Sequence, residues 1–219
     1  MIISVEGNIG SGKTSLLEQI EQILAQNSDI SPKKIHIFYE GVNEWCNLRD
    51  STGNSIFELY YNDPYRYSYV FQSYVMSTRM TQLAKLRDQY PNDIILCERT
   101  HESDYNIFVM NLVKQKKLTE IEYLLYKQLL DTMKNSLNLH VNYIIYNDVK
   151  PDICKQRIST RNRHGEEGIT LGFLENLHEF HENWLKNSEN VFLLDGSCDK
   201  NSDIRSEQIK TIIKFINNL

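Results

Sequence analysis

The run GNIGSGKT places Gly7, Gly10, Gly12, Lys13 and Thr14 at the spacing G-x-x-x-x-G-K-T, with Asn8, Ile9 and Ser11 between them. Each residue type has a physical reason to be there. Glycines let the backbone curl until successive N–H groups converge on phosphate oxygens. The amides from Gly7 to Gly12 would supply that cradle, and the start of a helix would add its positive end. Lys13 would reach the β- and γ-phosphates, and the Thr14 hydroxyl would ligate Mg²⁺. The chemistry implied is binding of a nucleoside triphosphate.

Further groups suit work on that triphosphate. Glu98 closes the apolar run IILC, a position from which a carboxylate reaches Mg²⁺ or its waters, and Arg99 beside it can follow charge on a transferring phosphoryl group. Glu40 ends another apolar run and is a candidate to accept a proton from an attacking hydroxyl. Arg157 and Arg161 share a helix face, and Arg163 opens the loop RNRHGEEG, an arrangement suited to a lid over phosphates. Glu166 and Glu167 in that loop could contact a substrate hydroxyl or keep the loop solvated. One helical stripe carries Ser68, Phe71, Gln72, Val75 and Arg79, a mixed apolar and polar face fitting a flat heterocycle. His178 and His181 are three apart and could hold a metal. The sequence offers no third ligand nearby, so surface or packing roles are expected for them.

The elements that must position these groups alternate between short apolar strands and helices. Strands are expected from Ile2, Ile35, Ile94, Val141 and Val191. Helices are expected at 12–26, behind Pro64 to about 88, at 102–114, 119–137, 151–161 and 170–187, and from about 202. A polar loop with Pro32 follows the first helix, and residues 41–55 read as irregular. This alternation implies an α/β fold, with a five-stranded parallel sheet flanked by helices, in one domain over 1–219. Ligands bind such sheets at the carboxyl ends of strands. The phosphate loop, Glu40 and Glu98–Arg99 all fall there.

Composition narrows the class. A formal net charge of −5 argues against a duplex nucleic-acid binder. No apolar run approaches the length of a membrane span, and no leader precedes the first strand, so a cytoplasmic protein without a membrane partner is expected. Cys46, Cys97, Cys154 and Cys198 lie far apart without zinc spacing, as reduced thiols would.

Several motifs in order resemble the deoxycytidine/deoxyguanosine kinase group of deoxynucleoside kinases, related to mitochondrial thymidine kinase and the insect multisubstrate enzyme. They are VEGNIGSGKT, the E-x-V-x-x-W element at Glu40, Val42 and Trp45, FQSYV at 71–75 and ERT at 98–100. SDYNIF at 103–108, RNRHGEEGI at 161–169 and the L-x-x-L-H-x-x-H-x-x-W-L run ending at Leu185 follow. The resemblance implies a P-loop kinase fold and ATP–Mg²⁺-dependent 5′-phosphorylation of a deoxynucleoside in nucleotide salvage. It implies Glu40 as the base for the 5′-hydroxyl, Arg99 at the 5′ end and Glu98 at the magnesium site. Tyr61 and Glu166 would hold the 3′-hydroxyl. Gln72 would bond the base, with Trp45, Phe108 and Phe71 packed around it. Arg157, Arg161 and Arg163 would be lid arginines. A homodimer is implied through helices 66–88 and 119–137.

Arg79 and Asp104 stand where thymidine-accepting relatives have Met and Ala. Val75, by contrast, matches the thymidine-accepting and insect-type enzymes. Gly41 and Gly165 also depart from the family pattern. Deoxycytidine and deoxypurines are therefore expected to be favoured over thymidine. The alternatives are a broad-specificity kinase that also accepts thymidine, and a nucleoside monophosphate kinase. A GTPase-type switch would want an N-K-x-D element, which the chain lacks.

Overall fold

The computed structural model describes residues 1–26, 30, 31, 34–163, 166, 168–186 and 188–219, apart from the side chain of Asn43. Pro32, Gly165 and Glu167, singled out above, lie outside the described residues.

Among the described residues, five parallel strands form one sheet in the order β2-β3-β1-β4-β5: β1 (Ile2–Glu6), β2 (Ile35–Phe38), β3 (Ile94–Glu98), β4 (Tyr143–Asp148) and β5 (Val191–Asp195). β1 and β3 are buried along their whole length, as continuous apolar runs at the centre of a parallel sheet should be. Alternate residues feed two cores. Ile3, Val5 and Leu96 pack with Leu16, Leu17 and Ile20 of α1 (Lys13–Gln26) and with Ile209, Ile212, Ile213 and Ile216, which belong to the C-terminal helix Asp203–Asn217. Ile2, Ile95 and Cys97 face the other way.

The second face is covered by long helices. Residues 41–55, expected to be irregular, contain a short helix, α2 (Val42–Asn47), and an isolated bridge between Arg49 and Ser55. α3 (Ile56–Asn62) follows, started by a capping box in which Ser55 and Glu58 satisfy each other's backbone N–H. α4 (Pro64–Gln89) has Asp63 as its cap and Pro64 in its first turn. The stretch expected as one helix over 102–114 is divided into α5 (His101–Ser103), a π-helical turn (Asp104–Val109) and α6 (Met110–Lys114). Then come α7 (Glu120–Leu137), α8 (Pro151–Arg161), α9 (Leu171–Leu185) and α10 (Asp203–Asn217). Met76, Met80 and Leu83 of α4 pack with Tyr126 and Leu130 of α7 beneath the sheet.

Strand order reverses about β1: β3 and β2 lie on one side, β4 and β5 on the other. The crevice beyond the carboxyl end of β1 is the switch point where such sheets take ligands. Register puts Val5 opposite both Glu98 and Ile145, so the phosphate loop emerges between the ends of β3 and β4.

Candidate active site

That crevice opens into a cavity of about 540 Å³. Of the residues expected to act there, Ile9, Gly10, Gly12, Lys13, Thr14, Glu40, Trp45, Tyr61, Phe71, Gln72 and Val75 line it. So do Arg79, Glu98, Arg99, Asp104, Phe108, Arg161, Arg163 and Glu166. Gly7, Asn8, Ser11 and Arg157 stand behind the lining.

The phosphate loop is braced from several sides. Gly10 has φ +79°, and a Cβ there would sit 2.6 Å from the Cys154 carbonyl oxygen. Only glycine allows both the left-handed backbone and the contact with α8. Asn147, in β4, donates to the Ser11 carbonyl at 2.8 Å, and Asn8 donates to the Leu174 carbonyl in α9 at 2.8 Å. Arg157 also donates to the Ser11 carbonyl at 3.0 Å, and to the carbonyls of Gly196 and Cys198, both at 3.0 Å. The guanidinium of this residue, expected among three lid arginines, thus holds the loop's outer wall. Lys13 is buried and donates to the carbonyls of Gly7 and Asn8 at 3.0 and 2.9 Å. Burial, and then the charge of Arg99, pull its ammonium down to about 8.

Thr14 lies in the first turn of α1 at the end of the loop, and Glu98 closes β3. Thr14 donates its hydroxyl to both oxygens of Glu98, at 3.0 and 3.1 Å. A hydroxyl and a carboxylate in contact beside a triphosphate cradle are the hard oxygen donors that Mg²⁺ prefers.

Arg99 follows with φ +60°, a conformation unusual for a non-glycine residue. It carries the guanidinium back over the site: one nitrogen donates to Glu40 at 2.7 Å, another to the Gly7 carbonyl at 3.2 Å, and the group lies 5.0 Å above the Phe108 ring. Glu40 also accepts from Arg79 at 3.0 Å. Arg79, only 2 % exposed, further donates to Asp104 at 3.0 Å and to the Glu98 carbonyl at 3.2 Å. Burial works against the charge on Glu40, but Arg99, Arg79 and Lys13 outweigh it and hold the carboxyl well below the usual carboxylate range. For Asp104 the balance reverses, and burial raises its pKa despite Arg79. Beneath them Glu6, fully buried, accepts from the Ser4 hydroxyl; burial pushes its carboxyl up to about 7 against that bond and the charge of Arg99.

The π-helical turn presents Asp104 and Phe108 to the same cavity. Such turns insert one extra residue per turn and recur at functional sites. Opposite, Phe71 and Trp45 meet edge-on with centroids 6.0 Å apart, and Tyr60 stacks on Phe71 at 4.6 Å. Gln72 is buried among them. The result is a flat apolar slot ended by an amide and an Arg–Asp pair. Val42 of the E-x-V-x-x-W element lines the cavity too, and so do Phe57, Tyr60 and Phe173, which had not been singled out. The capping box at Ser55–Glu58 was the available signal for α3, whose next turn carries Tyr60. On the lid side, Arg161 donates to both oxygens of Glu166 at 2.7 Å, and Arg163 lies 3.5 Å from the same carboxylate.

A phosphate cradle, a carboxylate between two guanidiniums and a flat polar-ended slot describe an enzyme that moves a phosphoryl group to a hydroxyl near a heterocycle. Comparison with known proteins agrees. Residues 3–219 match the family model described as deoxynucleoside kinase. The chain belongs to the deoxynucleoside kinase family. It is 32 % identical over 201 residues to human deoxycytidine kinase, covering 84 % of this chain and 74 % of that protein. It is 33 % identical over 184 residues to human mitochondrial thymidine kinase 2, covering 84 % of this chain and 64 % of that one. A probable deoxycytidine kinase of fowlpox virus is 31 % identical over 225 residues, covering 99 % and 88 %. This deoxynucleoside kinase is thus a phosphotransferase of nucleotide salvage, with the parallel α/β fold of its family. Both kinds of relative, named for deoxycytidine and for thymidine, match at similar identity.

Proposed function

We propose that the protein transfers the γ-phosphoryl group of ATP–Mg²⁺ to the 5′-hydroxyl of deoxycytidine and of deoxypurine nucleosides, in preference to thymidine. The observation that carries the base preference is the buried Arg79–Asp104 pair at the end of the slot. It fills the space a thymine methyl would need and offers a donor and an acceptor to an exocyclic amino group or a purine edge. Gln72 would bond the base, with Trp45, Phe71, Val75 and Phe108 against its faces and edge. Tyr61 and Glu166 would hold the sugar's 3′-hydroxyl. Glu166 would have to share its two arginine contacts to do so.

Glu40 would take the 5′-hydroxyl proton as that oxygen bonds to the γ-phosphorus and the β–γ bridge oxygen leaves with ADP. Its two guanidinium partners keep it ionised, ready to accept. In-line phosphoryl transfer has a loose transition state, so positioning and charge stabilisation matter more than a strong base. Arg99 spans Glu40 and the loop carbonyl of Gly7, within reach of charge shared between acceptor and donor. Thr14 and Glu98 would hold Mg²⁺, which when bound neutralises phosphate charge. The amides of the loop, with Lys13, would hold the β- and γ-phosphates. Arg161 and Arg163 would close the lid at about 161–169.

We further infer one kinase domain, cytoplasmic location and a homodimer. Ile121, Leu124, Leu125 and Leu129 are exposed on α7, and Tyr65 and Val70 on α4, which supports pairing of two copies through these helices. No described helix is long and apolar enough to cross a membrane. The test of the function is transfer from ATP–Mg²⁺ to a panel of deoxycytidine, deoxyadenosine, deoxyguanosine, thymidine and deoxycytidine monophosphate. Turnover of deoxycytidine or the purines, with thymidine far behind, is expected. Turnover of the monophosphate alone would overturn the acceptor assignment.

A further inference from the structure

His178 does have partners, and they come from elsewhere than His181. His181 is fully buried, stacked parallel to Tyr146 with centroids 5.8 Å apart, and bonded through Nδ1 to the Leu177 carbonyl. His178 and Glu182 are one turn apart on α9, on the same face. Asp148, the last residue of β4, meets them across the gap. One ring nitrogen and one oxygen from each carboxylate all lie within 4.8 Å of one another, and His178 Nδ1 is 3.9 Å from Asp148 Oδ1. Tyr146, two residues before Asp148 and so on the same strand face, hydrogen-bonds Asp148 at 3.4 Å and Glu182 at 3.3 Å.

We infer that Asp148, His178 and Glu182 form a binding site for one divalent transition-metal ion of the Zn²⁺ type, distinct from the magnesium nucleotide site. One imidazole nitrogen with two carboxylates is a mixed set that suits borderline ions; Mg²⁺ prefers oxygen alone and keeps its waters. Tetrahedral zinc with bonds of about 2.0–2.2 Å needs ligand atoms about 3.3 Å apart. The three side chains, each a quarter to two-fifths exposed, would have to rotate inward on the ion to close that gap. Two carboxylates held so near each other repel, and a cation between them relieves that repulsion. Lys186 pairs with Glu182 at 3.2 Å, but it is 70 % exposed and offers a single mobile charge that a dication displaces. The fourth position remains open to water. The ion would tie α9 to the end of β4, the two elements that brace the phosphate loop through Asn8 and Asn147.

The test uses the full chain, stripped with a chelator, dialysed against buffered Zn²⁺ and assayed by elemental analysis. Roughly one zinc per chain is expected, retained against excess Mg²⁺. His178→Gln and Asp148→Asn should each weaken binding more than tenfold with the far-UV circular dichroism unchanged. A Cys46→Ser/Cys198→Ser variant, which lacks the two partly exposed thiols, should bind as the native chain does. No stoichiometric zinc, zinc displaced by Mg²⁺, zinc lost with the thiols, or zinc unaffected by either ligand variant would each overturn the site. None of these readouts depends on kinase activity, so the proposal can fail without touching the acceptor assignment.

Discussion

Arg79→Met removes the guanidinium that joins Asp104, at the end of the slot, to the candidate catalytic carboxylate of Glu40. It deletes three contacts, to Asp104 at 3.0 Å, Glu40 at 3.0 Å and the Glu98 carbonyl at 3.2 Å. Arg79 and Asp104 are 2 % and 1 % exposed, so water cannot replace the lost partner. Removing one member of a buried pair strands the other, at a cost of about 3–5 kcal/mol. At about 2–4 °C per kcal/mol for a chain of this size, Tm should fall by about 6–20 °C. Adding Asp104→Ala removes the stranded carboxylate, so the double variant should be more stable than Arg79→Met alone. The coupling between the two changes should be of order 0.5–3 kcal/mol. Urea unfolding at pH 7 of the native chain, both single variants and the double variant measures this cycle. The same double variant should raise thymidine turnover relative to deoxycytidine, because space opens at the slot's end. Strictly additive single effects, or an Arg79→Met variant within about 1 kcal/mol of native, as for a surface substitution, would mean that Arg79 and Asp104 do not act as a buried pair.

Gly10→Ala should lower ATP affinity more than tenfold while leaving the circular dichroism unchanged, because its Cβ would collide with the Cys154 carbonyl at 2.6 Å; equilibrium binding of ATP measures it. The buried Glu6 gives a pH effect of definite sign. Its folded pKa of about 7 lies above the ordinary 4.5, so the folded state holds a proton that the unfolded state releases between those values. Stability attributable to Glu6 is therefore present below about pH 4.5 and lost as pH rises to about 7, by roughly 3 kcal/mol. Glu6→Gln should be flatter than native over that window when unfolding is followed against pH. Equal slopes in the two proteins would count against a protonated Glu6.

Local spacing made the phosphate loop legible, since its chemistry is written within eight consecutive residues from Gly7 to Thr14. Strand ends were legible for the same reason: an apolar run stopping at Glu98 marks where a parallel strand leaves the sheet. Contacts across the fold were harder to read. Nothing in the sequence announces that Arg79 bridges Glu40 and Asp104, 39 and 25 positions away. Arg157 shares a helix face with Arg161, yet the turn that α8 makes against the loop sends it to backbone carbonyls instead of the lid. That Asp148, at the end of β4, comes close to His178 on helix α9 is likewise invisible to local spacing. Short helices such as α2 and α3, with six and seven residues, fall below the length at which periodicity is informative. The π-helical turn escaped because the apolar spacing over 102–114 is compatible with a plain helix. Its consequence, Asp104 and Phe108 on one wall, needs the backbone itself.

In the proposed reaction Glu40, held ionised between Arg79 and Arg99, would receive the acceptor's proton during transfer. Single-turnover phosphorylation of deoxycytidine by native protein and by Glu40→Gln, with ATP affinity measured on both, tests it most directly. Transfer should slow by about 10²–10⁴-fold with ATP affinity essentially unchanged. Transfer at the native rate, or a loss of ATP affinity large enough to explain the slower rate, would contradict it.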